Sequence, residues 1–251
     1  LGRLHRLIEK CQGAYEEYEF HVIFHGIDNF CVNDLSAFYL DIVKDTLYCG
    51  GRESVDRRSV QTALYEILHA LVKLLAPILT FSSEDIWQHL RSLDSHAIKT
   101  ESIQLETIPK VNDSYIVPEL EARFDTILEV REEVYKALEM ARAEKKIAHS
   151  LDARVEIYTE GKTYDILSRL EDKLCKILIT SQAEVKKGEP NWATFVSERV
   201  KGLKIKVESA QGAKCERCWN YSESVGTVAE HSTLCQRCTG VAAQYFQQGG
   251  A

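Results

Sequence analysis

Four of the eight cysteines lie within 24 residues as two CxxC pairs, a spacing at which thiolates bind metal. The pairs are Cys215 with Cys218 and Cys235 with Cys238. The two thiolates of a pair, three positions apart on a tight turn, can bind one metal ion from one side. The two pairs together complete a tetrahedral shell of four sulfurs. Four sulfur ligands leave no position for a catalytic water, so we expect one structural zinc per chain. Redox-active dithiols and chance clustering are the alternatives.

The catalytic inventory is otherwise short. The sequence has no phosphate-cradling glycine loop, no nucleophile elbow and no metalloprotease histidine pair. His21 and His25 lie four residues apart without a carboxylate or cysteine partner at a ligand spacing, and we interpret them as packing or surface residues. On its own residues, the chain is therefore interpreted as a binding module.

The other four cysteines are scattered along the chain, which is typical of buried free thiols and not of a disulfide framework. They are Cys11, Cys31, Cys49 and Cys175. The sequence shows no apolar signal segment and no run long enough to span a bilayer. We therefore expect a reducing, cytoplasmic location and no membrane partner.

The charge distribution favours a local nucleic-acid surface over a general one. A net charge of −7 argues against a sequence-blind nucleic-acid binder, which would be broadly basic. From residue 196 to 218, however, six basic residues outnumber three acidic ones. This basic stretch adjoins the cysteine motif and includes Lys204, Lys206, Lys214 and Arg217.

Apolar residues at steps of three and four predict helices over the first 150 residues. The predicted helices cover 15–47 with a phase shift near Asn33, 56–77, a short segment after Ser83, and a long stretch from Pro118. We expect these helices to form a bundle with short connections. Near the end of the last helix, Arg142, Lys145 and Lys146 could contact phosphate, but a solvated helix end is the simpler interpretation.

The pattern changes after residue 150. Residues 153–159 alternate apolar and polar side chains, as a half-buried strand does. Further along, the pattern predicts a helix over 163–174, strands over 175–186 and 203–209, and an exposed loop over 188–192. The expected fold is mainly α: a helical bundle at 1–150, a small α+β module at 151–210 and a four-cysteine zinc knuckle at 211–251.

Together these segments resemble a known family. Four helical segments, at 14–21, 38–45, 57–64 and 76–87, are similar to the anticodon-binding domain of bacterial-type isoleucyl-tRNA synthetases. Residues 141–146, residues 203–206 and the cysteine segment with its Trp219 resemble the C-terminal zinc segment of the same enzymes. Taken singly, the helical segments also fit the valyl and leucyl relatives, and the terminal knuckle narrows the choice to the isoleucyl family.

The resemblance implies tRNA binding without catalysis. The HIGH and KMSKS signatures of the family's adenylate-forming core do not occur in this sequence, and the editing domain has no counterpart. Because the chain begins at Leu1 inside a predicted helix, we expect it to be a C-terminal part of a longer enzyme. By resemblance, that enzyme is a monomer without an obligate protein partner and joins isoleucine to its tRNA at the expense of ATP. ATP would bind only the absent catalytic domain, while this part would hold the anticodon stem and loop of the isoleucine tRNA.

The residues beside the cysteines suit such a role. Unpaired loop bases are recognised by stacking on aromatic or guanidinium planes and by hydrogen bonds to their edges. We expect Arg217 and Trp219, held rigid next to a metal, to contact bases. We expect Lys204, Lys206 and Lys214 to bind the tRNA as well, the first two through phosphates. The alternative for Trp219 is packing beneath a knuckle too poor in apolar residues to fold unaided.

Two other classes of function stay open at this point. The four-cysteine hairpin also resembles the zinc finger of formamidopyrimidine-DNA glycosylases, which would make the chain a DNA-binding repair module. Those enzymes use an N-terminal proline as nucleophile, whereas this chain starts with Leu-Gly and a long helix. The third interpretation is a scaffold whose helices dock another protein. Preference for a tRNA stem-loop, for damaged duplex DNA or for neither separates the three.

Overall fold

The computed structural model of this chain describes residues 1–93, 96–190 and 195–248. About 59% of the chain is helical, and a small sheet and a four-cysteine cluster accompany the helices, which confirms the predicted mainly-α class. Internal contacts divide the chain into two compact units, namely Leu1–Asp41 with Val55–Pro118, and Ile42–Ser54 with Glu119–Ala251. Among the described residues, no helix combines the length and the apolar character needed to cross a membrane.

The described part of the chain contains ten α-helices. They are α1 (Gly2–Glu16), α2 (Phe20–Asn29), α3 (Leu40–Ile42), α4 (Lys44–Cys49), α5 (Val55–Leu75), α6 (Thr80–Leu93), α7 (Pro118–Ala143), α8 (Gly161–Ser168), α9 (Lys173–Leu178) and α10 (Gln236–Gln248). A π-helical stretch, Phe30–Tyr39, joins α2 to α3. The helices predicted over 56–77 and from Pro118 are present as α5 and α7. The short helix predicted after Ser83 is present as α6, but it begins earlier, at Thr80, and contains Ser83.

The single helix predicted over 15–47 is interrupted. The first helix ends at Glu16, and Tyr18 adopts a left-handed backbone with a φ of 58° before α2 begins. The apolar pattern continues across this break because α1 and α2 bury their apolar faces in one cluster. The predicted phase shift near Asn33 coincides with the π-helical stretch, whose wider turns move the apolar stripe around the helix.

Two apolar clusters form the interior of the first unit. Helices α1, α2 and α5 share the larger one, whose most buried members include Leu4, Ile8, Ile23 and Leu74. The Tyr15 hydroxyl donates to the Leu74 carbonyl at 2.6 Å and so ties α1 to α5. In the smaller cluster, Trp87 of α6 is buried and donates its Nε1–H to the Thr100 carbonyl at 3.2 Å. Both polar groups are therefore satisfied inside an apolar interior.

The second unit contains a four-stranded sheet. Its strands are β1 (Ala153–Tyr158), β2 (Gln182–Lys186), β3 (Phe195–Val196) and β4 (Lys204–Ser209), in the order β2–β1–β4–β3. Strand β1 is parallel to β2 and antiparallel to β4. Val155, Ile157 and Ile205 are buried on one face of β1 and β4, as the predicted alternation requires. Glu156, on the opposite face of β1, is buried as well, so this strand is more buried than the predicted half-buried strand.

The connection between β1 and β2 differs from the prediction. The helix predicted over 163–174 is two helices, α8 and α9, and the strand predicted from residue 175 begins only at Gln182. Leu174, Ile177 and Leu178 are buried at helical spacing, so the apolar run is the inner face of α9. Ile179, with a φ of 55°, ends that helix.

Helix α7 makes its polar contacts with the sheet module. The Arg131 Nε–H donates to the Ile177 carbonyl at 2.9 Å, and the buried Glu133 is hydrogen-bonded to Lys136 and Ser197. The arrangement of the long helices as one bundle and the domain limits at 150 and 210 stay predictions. Residues 191 and 192 of the predicted loop and residues 249–251 of the predicted knuckle lie outside the described residues.

Candidate metal centre and nucleic-acid interface

The four cysteines of the two CxxC pairs converge on one point. Their Sγ atoms all lie within 4.8 Å of one another, and all four residues are buried. A tetrahedral shell with Zn–S bonds of about 2.3 Å places its sulfurs roughly 3.8 Å apart. The Sγ atoms of Cys218 and Cys235 are 3.8 Å apart. The number, type, spacing and burial of the sulfurs therefore fit one zinc ion held by Cys215, Cys218, Cys235 and Cys238.

A short hairpin presents the first pair and a helix presents the second. Strands β5 (Ala213–Lys214) and β6 (Tyr221–Ser222) pair antiparallel, and the first CxxC lies in their connection. The Cys215 N–H donates to the Asn220 carbonyl at 2.9 Å, and the Trp219 N–H donates to the Cys215 carbonyl at 2.8 Å. Cys235 and Cys238 lie at the start of α10, where the positive end of the helix dipole favours thiolates.

A glycine permits the close approach that starts this hairpin. Gly212 has a φ of 89°, and a Cβ added there would lie 2.3 Å from the Ser222 carbonyl carbon. Both the backbone conformation and the available space therefore require glycine.

The surroundings of the Cys215 sulfur favour its thiolate form. Burial alone raises the pKa of the Cys215 thiol, but the N–H groups of Cys218, Cys235 and Arg217 outweigh it and lower that pKa to about 6. The Cys235 N–H lies 3.3 Å from the Cys215 Sγ. Burial raises the pKa of Cys235 and of Cys238. Because four thiolates at this spacing repel one another, a divalent cation is what allows all of them to ionise.

Arg217 ties the cysteine cluster to a segment distant in sequence. Its Nη1 donates to the Cys49 carbonyl at 2.8 Å, and its Nη2 lies 3.4 Å from the Tyr48 carbonyl. The Cys49 thiol donates back to the Arg217 carbonyl at 3.7 Å and packs in one cluster with the four ligand cysteines. Nη1 also lies 3.6 Å from the Cys238 Sγ. We call Ile42–Ser54, which belongs to the second unit with the cysteines, the docked segment.

Arg237 of α10 makes a second connection to the docked segment. Its Nη1 and Nη2 donate to the two carboxylate oxygens of Asp45 at 2.5 and 2.7 Å. Hydrogen bonding to this carboxylate raises the pKa of the Arg237 guanidinium. Sequence reasoning missed these residues, because the partners lie 168 and 192 positions apart and no local pattern marks them.

Trp219 presents its ring at the surface of the hairpin. The side chain is 62% exposed, so it does not pack beneath the knuckle. Its backbone is left-handed, with a φ of 64°, directly after the ligand Cys218. The Lys214 Nζ lies 5.8 Å from the centroid of the ring. The structure thus brings Lys214, Arg217 and Trp219 together around the first CxxC pair.

The other two lysines predicted to bind tRNA lie elsewhere, on the sheet. Lys204 and Lys206 share one face of β4. Lys204 is paired with Glu189. The Lys206 Nζ lies 2.7 Å from Glu208 and 3.9 Å from Glu156. A phosphate would have to compete with these carboxylates for either amine.

A basic groove borders the hairpin. It has a volume of about 510 Å³, and its lining includes the cations Arg142, Lys145 and Lys146, the carboxylate of Asp152, and Tyr221. Arg142 donates to the Ala148 carbonyl at 3.1 Å, and Lys146 pairs with Glu144 at 2.6 Å. Within the described part of the chain, no carboxylate lies at ion-pair distance from Lys145. The segment interpreted from sequence as a solvated helix end thus lines a concavity with three cations, of which Arg142 and Lys146 already have glutamate partners.

Comparison with known families decides between the classes left open by the sequence. Residues 1–157 match the family described as the anticodon-binding domain of tRNA ligase. The chain belongs to this family. Residues 212–239 match a second family, the zinc finger found in FPG and IleRS. The four-cysteine cluster is therefore a structural zinc site, as predicted, and the anticodon-binding match favours the tRNA-ligase interpretation over a DNA-repair module.

Several curated relatives are isoleucine–tRNA ligases. The protein of Syntrophotalea carbinolica is 45% identical over 242 residues, which cover 96% of this chain and 25% of the relative. Those of Syntrophomonas wolfei and Moorella thermoacetica are 46% and 44% identical over 245 and 251 residues, which cover 97% and 99% of this chain and 26% and 27% of each relative. The resemblance drawn from the sequence is confirmed. The chain spans about a quarter of the length of these relatives.

Proposed function

We propose that this chain is the tRNA-binding part of an isoleucine–tRNA ligase. It holds the anticodon stem and loop of isoleucine tRNA, while ATP binding and the ligation occur in other parts of the enzyme. The supporting observation is the combination of an anticodon-binding match over residues 1–157 with a zinc site that displays an exposed aromatic ring.

Trp219 and Lys214 form the part of this surface that binds one unpaired base and its phosphate. The hairpin and the metal fix the backbone at Trp219, so its indole can stack on an unpaired base with little loss of conformational entropy. Stacking of one base on an aromatic side chain is worth about 1–3 kcal/mol. The ammonium of Lys214, which lies beside the ring, can bind the phosphate that accompanies the stacked base.

Arg217 serves the same surface mainly by positioning. Its guanidinium already binds the carbonyls of Cys49 and Tyr48, so part of its hydrogen-bonding capacity is used inside the protein. The plane of the guanidinium is the part that can contact RNA. We propose that its larger role is to hold the turn that carries Trp219.

The other lysines of this surface bind phosphates of the RNA backbone. Lys204 and Lys206 can bind a phosphate only after giving up a carboxylate partner. This exchange reduces the binding free energy that each phosphate contact contributes. Lys145 and Lys146 line the groove beside the hairpin and offer a second phosphate position. Such contacts fix the register of the RNA without reading its sequence.

The remaining expectations are proposed with this role. One zinc ion is bound per chain, the isoacceptor is an isoleucine tRNA, and the parent enzyme works as a cytoplasmic monomer without an obligate protein partner. Four of the eight cysteines serve as zinc ligands, and the other four are thiols without disulfides, which accords with a reducing compartment.

A binding titration tests the proposal. The chain is titrated with isoleucine tRNA, valine tRNA and a lesion-containing DNA duplex, each over a range of salt concentrations. We expect the isoleucine tRNA to bind most tightly, and Trp219→Ala, with its zinc retained, to lose that preference. Preference for the damaged duplex, or equal binding of all three ligands, would overturn the proposal. Zinc is measured in every variant, because a collapsed knuckle would mimic a lost contact.

A further inference from the structure

The docked segment carries a large aromatic side chain that its own fold leaves uncovered. Tyr48 is 77% exposed at the end of α4. Single exposed apolar residues are common on protein surfaces, so exposure alone carries no argument. The position of Tyr48 beside the zinc site is what sets it apart.

The backbone of Tyr48 is held by the residue that also sets the position of Trp219. Arg217 lies two residues before Trp219, and its Nη2 and Nη1 contact the carbonyls of Tyr48 and Cys49 at 3.4 and 2.8 Å. The bidentate contact between Arg237 and Asp45 holds the same helix three residues earlier. The backbones at Tyr48 and Trp219, which lie 171 positions apart in sequence, are therefore both held at the zinc site.

We propose that Tyr48 is a second stacking residue for the unpaired bases of a nucleic-acid loop, acting beside Trp219 on a surface assembled by the zinc site and the docked segment. This inference rests on the proposed function and adds a recognition residue from outside the zinc finger.

The surrounding charge favours an RNA loop over an apolar protein partner. The Lys214 Nζ lies 5.8 Å from the centroid of the Trp219 ring, and the Arg217 guanidinium contacts the backbone carbonyl of Tyr48, in a chain whose net charge is −7. Asp45, three residues before Tyr48, is paired with Arg237, and Glu53, five residues after it, lies 3.6 Å from Arg52. Aromatic faces interleaved with cations are the combination that binds single-stranded nucleic acid.

The test compares three substitutions at one position in the 251-residue chain. The probe is an RNA stem-loop with the isoleucine anticodon, and an RNA duplex without a loop is the reference ligand. We expect Tyr48→Leu and Tyr48→Ala to weaken stem-loop binding about 5- to 150-fold and Tyr48→Phe to bind like the parent, since one base stack is being removed or kept. Duplex binding should be unchanged in all three.

Tyr164→Ala is the aromatic control, because Tyr164 of α8, with the Lys187 Nζ 4.6 Å from its ring centroid, lies outside both residues 1–157 and residues 212–239. 2-Aminopurine placed at successive loop positions adds a direct readout of stacking. At one position, its fluorescence should be quenched by the parent and by Tyr48→Phe but not by Tyr48→Leu, while Trp219→Ala restores fluorescence at a different position.

The outcomes separate this inference from the proposed function. If Tyr48→Leu and Tyr48→Ala retain zinc and bind the stem-loop like Tyr164→Ala, the inference is wrong, while a loss in Trp219→Ala leaves the proposed function standing. If the parent binds no tRNA and no stem-loop, both fail.

Discussion

Removal of the Arg217 side chain should loosen the docked segment without unfolding the zinc site. The guanidinium makes one short hydrogen bond, to the Cys49 carbonyl at 2.8 Å, and longer contacts to the Tyr48 carbonyl and the Cys238 Sγ at 3.4 and 3.6 Å. A hydrogen bond that involves a charged group contributes about 1.5–3 kcal/mol. We assign nearly all of the stabilisation of the docked segment by Arg217 to the short bond. Arg217→Ala should therefore lower the free energy of local opening of this segment by about 1.5–3 kcal/mol.

Native-state hydrogen exchange measures this opening directly. Within the docked segment, the Leu47 N–H donates to the Val43 carbonyl at 2.9 Å and the Gly50 N–H donates to the Thr46 carbonyl at 3.2 Å. Because each 1.4 kcal/mol corresponds to a factor of ten, these amides should exchange about 10- to 150-fold faster in Arg217→Ala.

Arg199→Ala is the control, since Arg199 pairs with Glu132 on α7 and, among the residues that the structure describes, forms no hydrogen bond or ion pair with the docked segment. Its docked segment should exchange at the parental rate. Zinc content is measured alongside, because the Cys238 contact is also lost. Unchanged exchange at Leu47 and Gly50 in an Arg217→Ala protein with full zinc would refute the reasoning that Arg217 holds this segment.

Three further perturbations test other contacts of the second unit. Gly212→Ala should lower both thermal stability and zinc content, since a Cβ would meet the Ser222 carbonyl carbon at 2.3 Å; calorimetry and elemental analysis measure this. Burial opposes ionisation of Glu156, but hydrogen bonds from Lys186 and Tyr158 outweigh it and hold the pKa of this carboxyl below its usual range. Its stabilising effect is therefore complete above the unfolded carboxyl pKa of about 4.3 and is lost as pH falls through the lower folded value, so urea unfolding of Glu156→Gln should depend less on acid. Lys145→Gln should weaken every tRNA about equally and reduce the slope of log K against log salt by about 0.7–0.9, if that amine contacts a phosphate.

The zinc site could be predicted from sequence because its information is local. Two CxxC pairs within 24 residues specify ligand type, number and approximate spacing, and folding only has to close the shell. The strands at 153–159 and 203–209 could also be predicted from the sequence, because an alternating apolar pattern has the period of a β-strand.

The segments predicted wrongly are those where one apolar pattern allows two structures. The run around Leu174, Ile177 and Leu178 is short enough to suit either a buried strand or a buried helix, and packing in the fold decides for α9. The break at Tyr18 carries no glycine or proline, so nothing local marks it.

The docked segment shows the other limit of sequence reasoning. Asp45, Tyr48 and Cys49 lie within a helical pattern, and their contacts with Arg217 and Arg237 depend on how the chain folds back over more than 160 residues. Likewise, the ion pairs of Lys204 and Lys206 could not be read from a count of basic residues.

The central claim is that this chain reads the anticodon loop of isoleucine tRNA through its zinc-organised surface. The most direct measurement compares binding of isoleucine tRNA with binding of the same tRNA carrying the anticodon loop of a valine tRNA, at one fixed salt concentration. We predict weaker binding of the exchanged tRNA by the parent chain, and no difference between the two tRNAs in Trp219→Ala with full zinc. Equal binding of the two tRNAs by the parent would contradict the account.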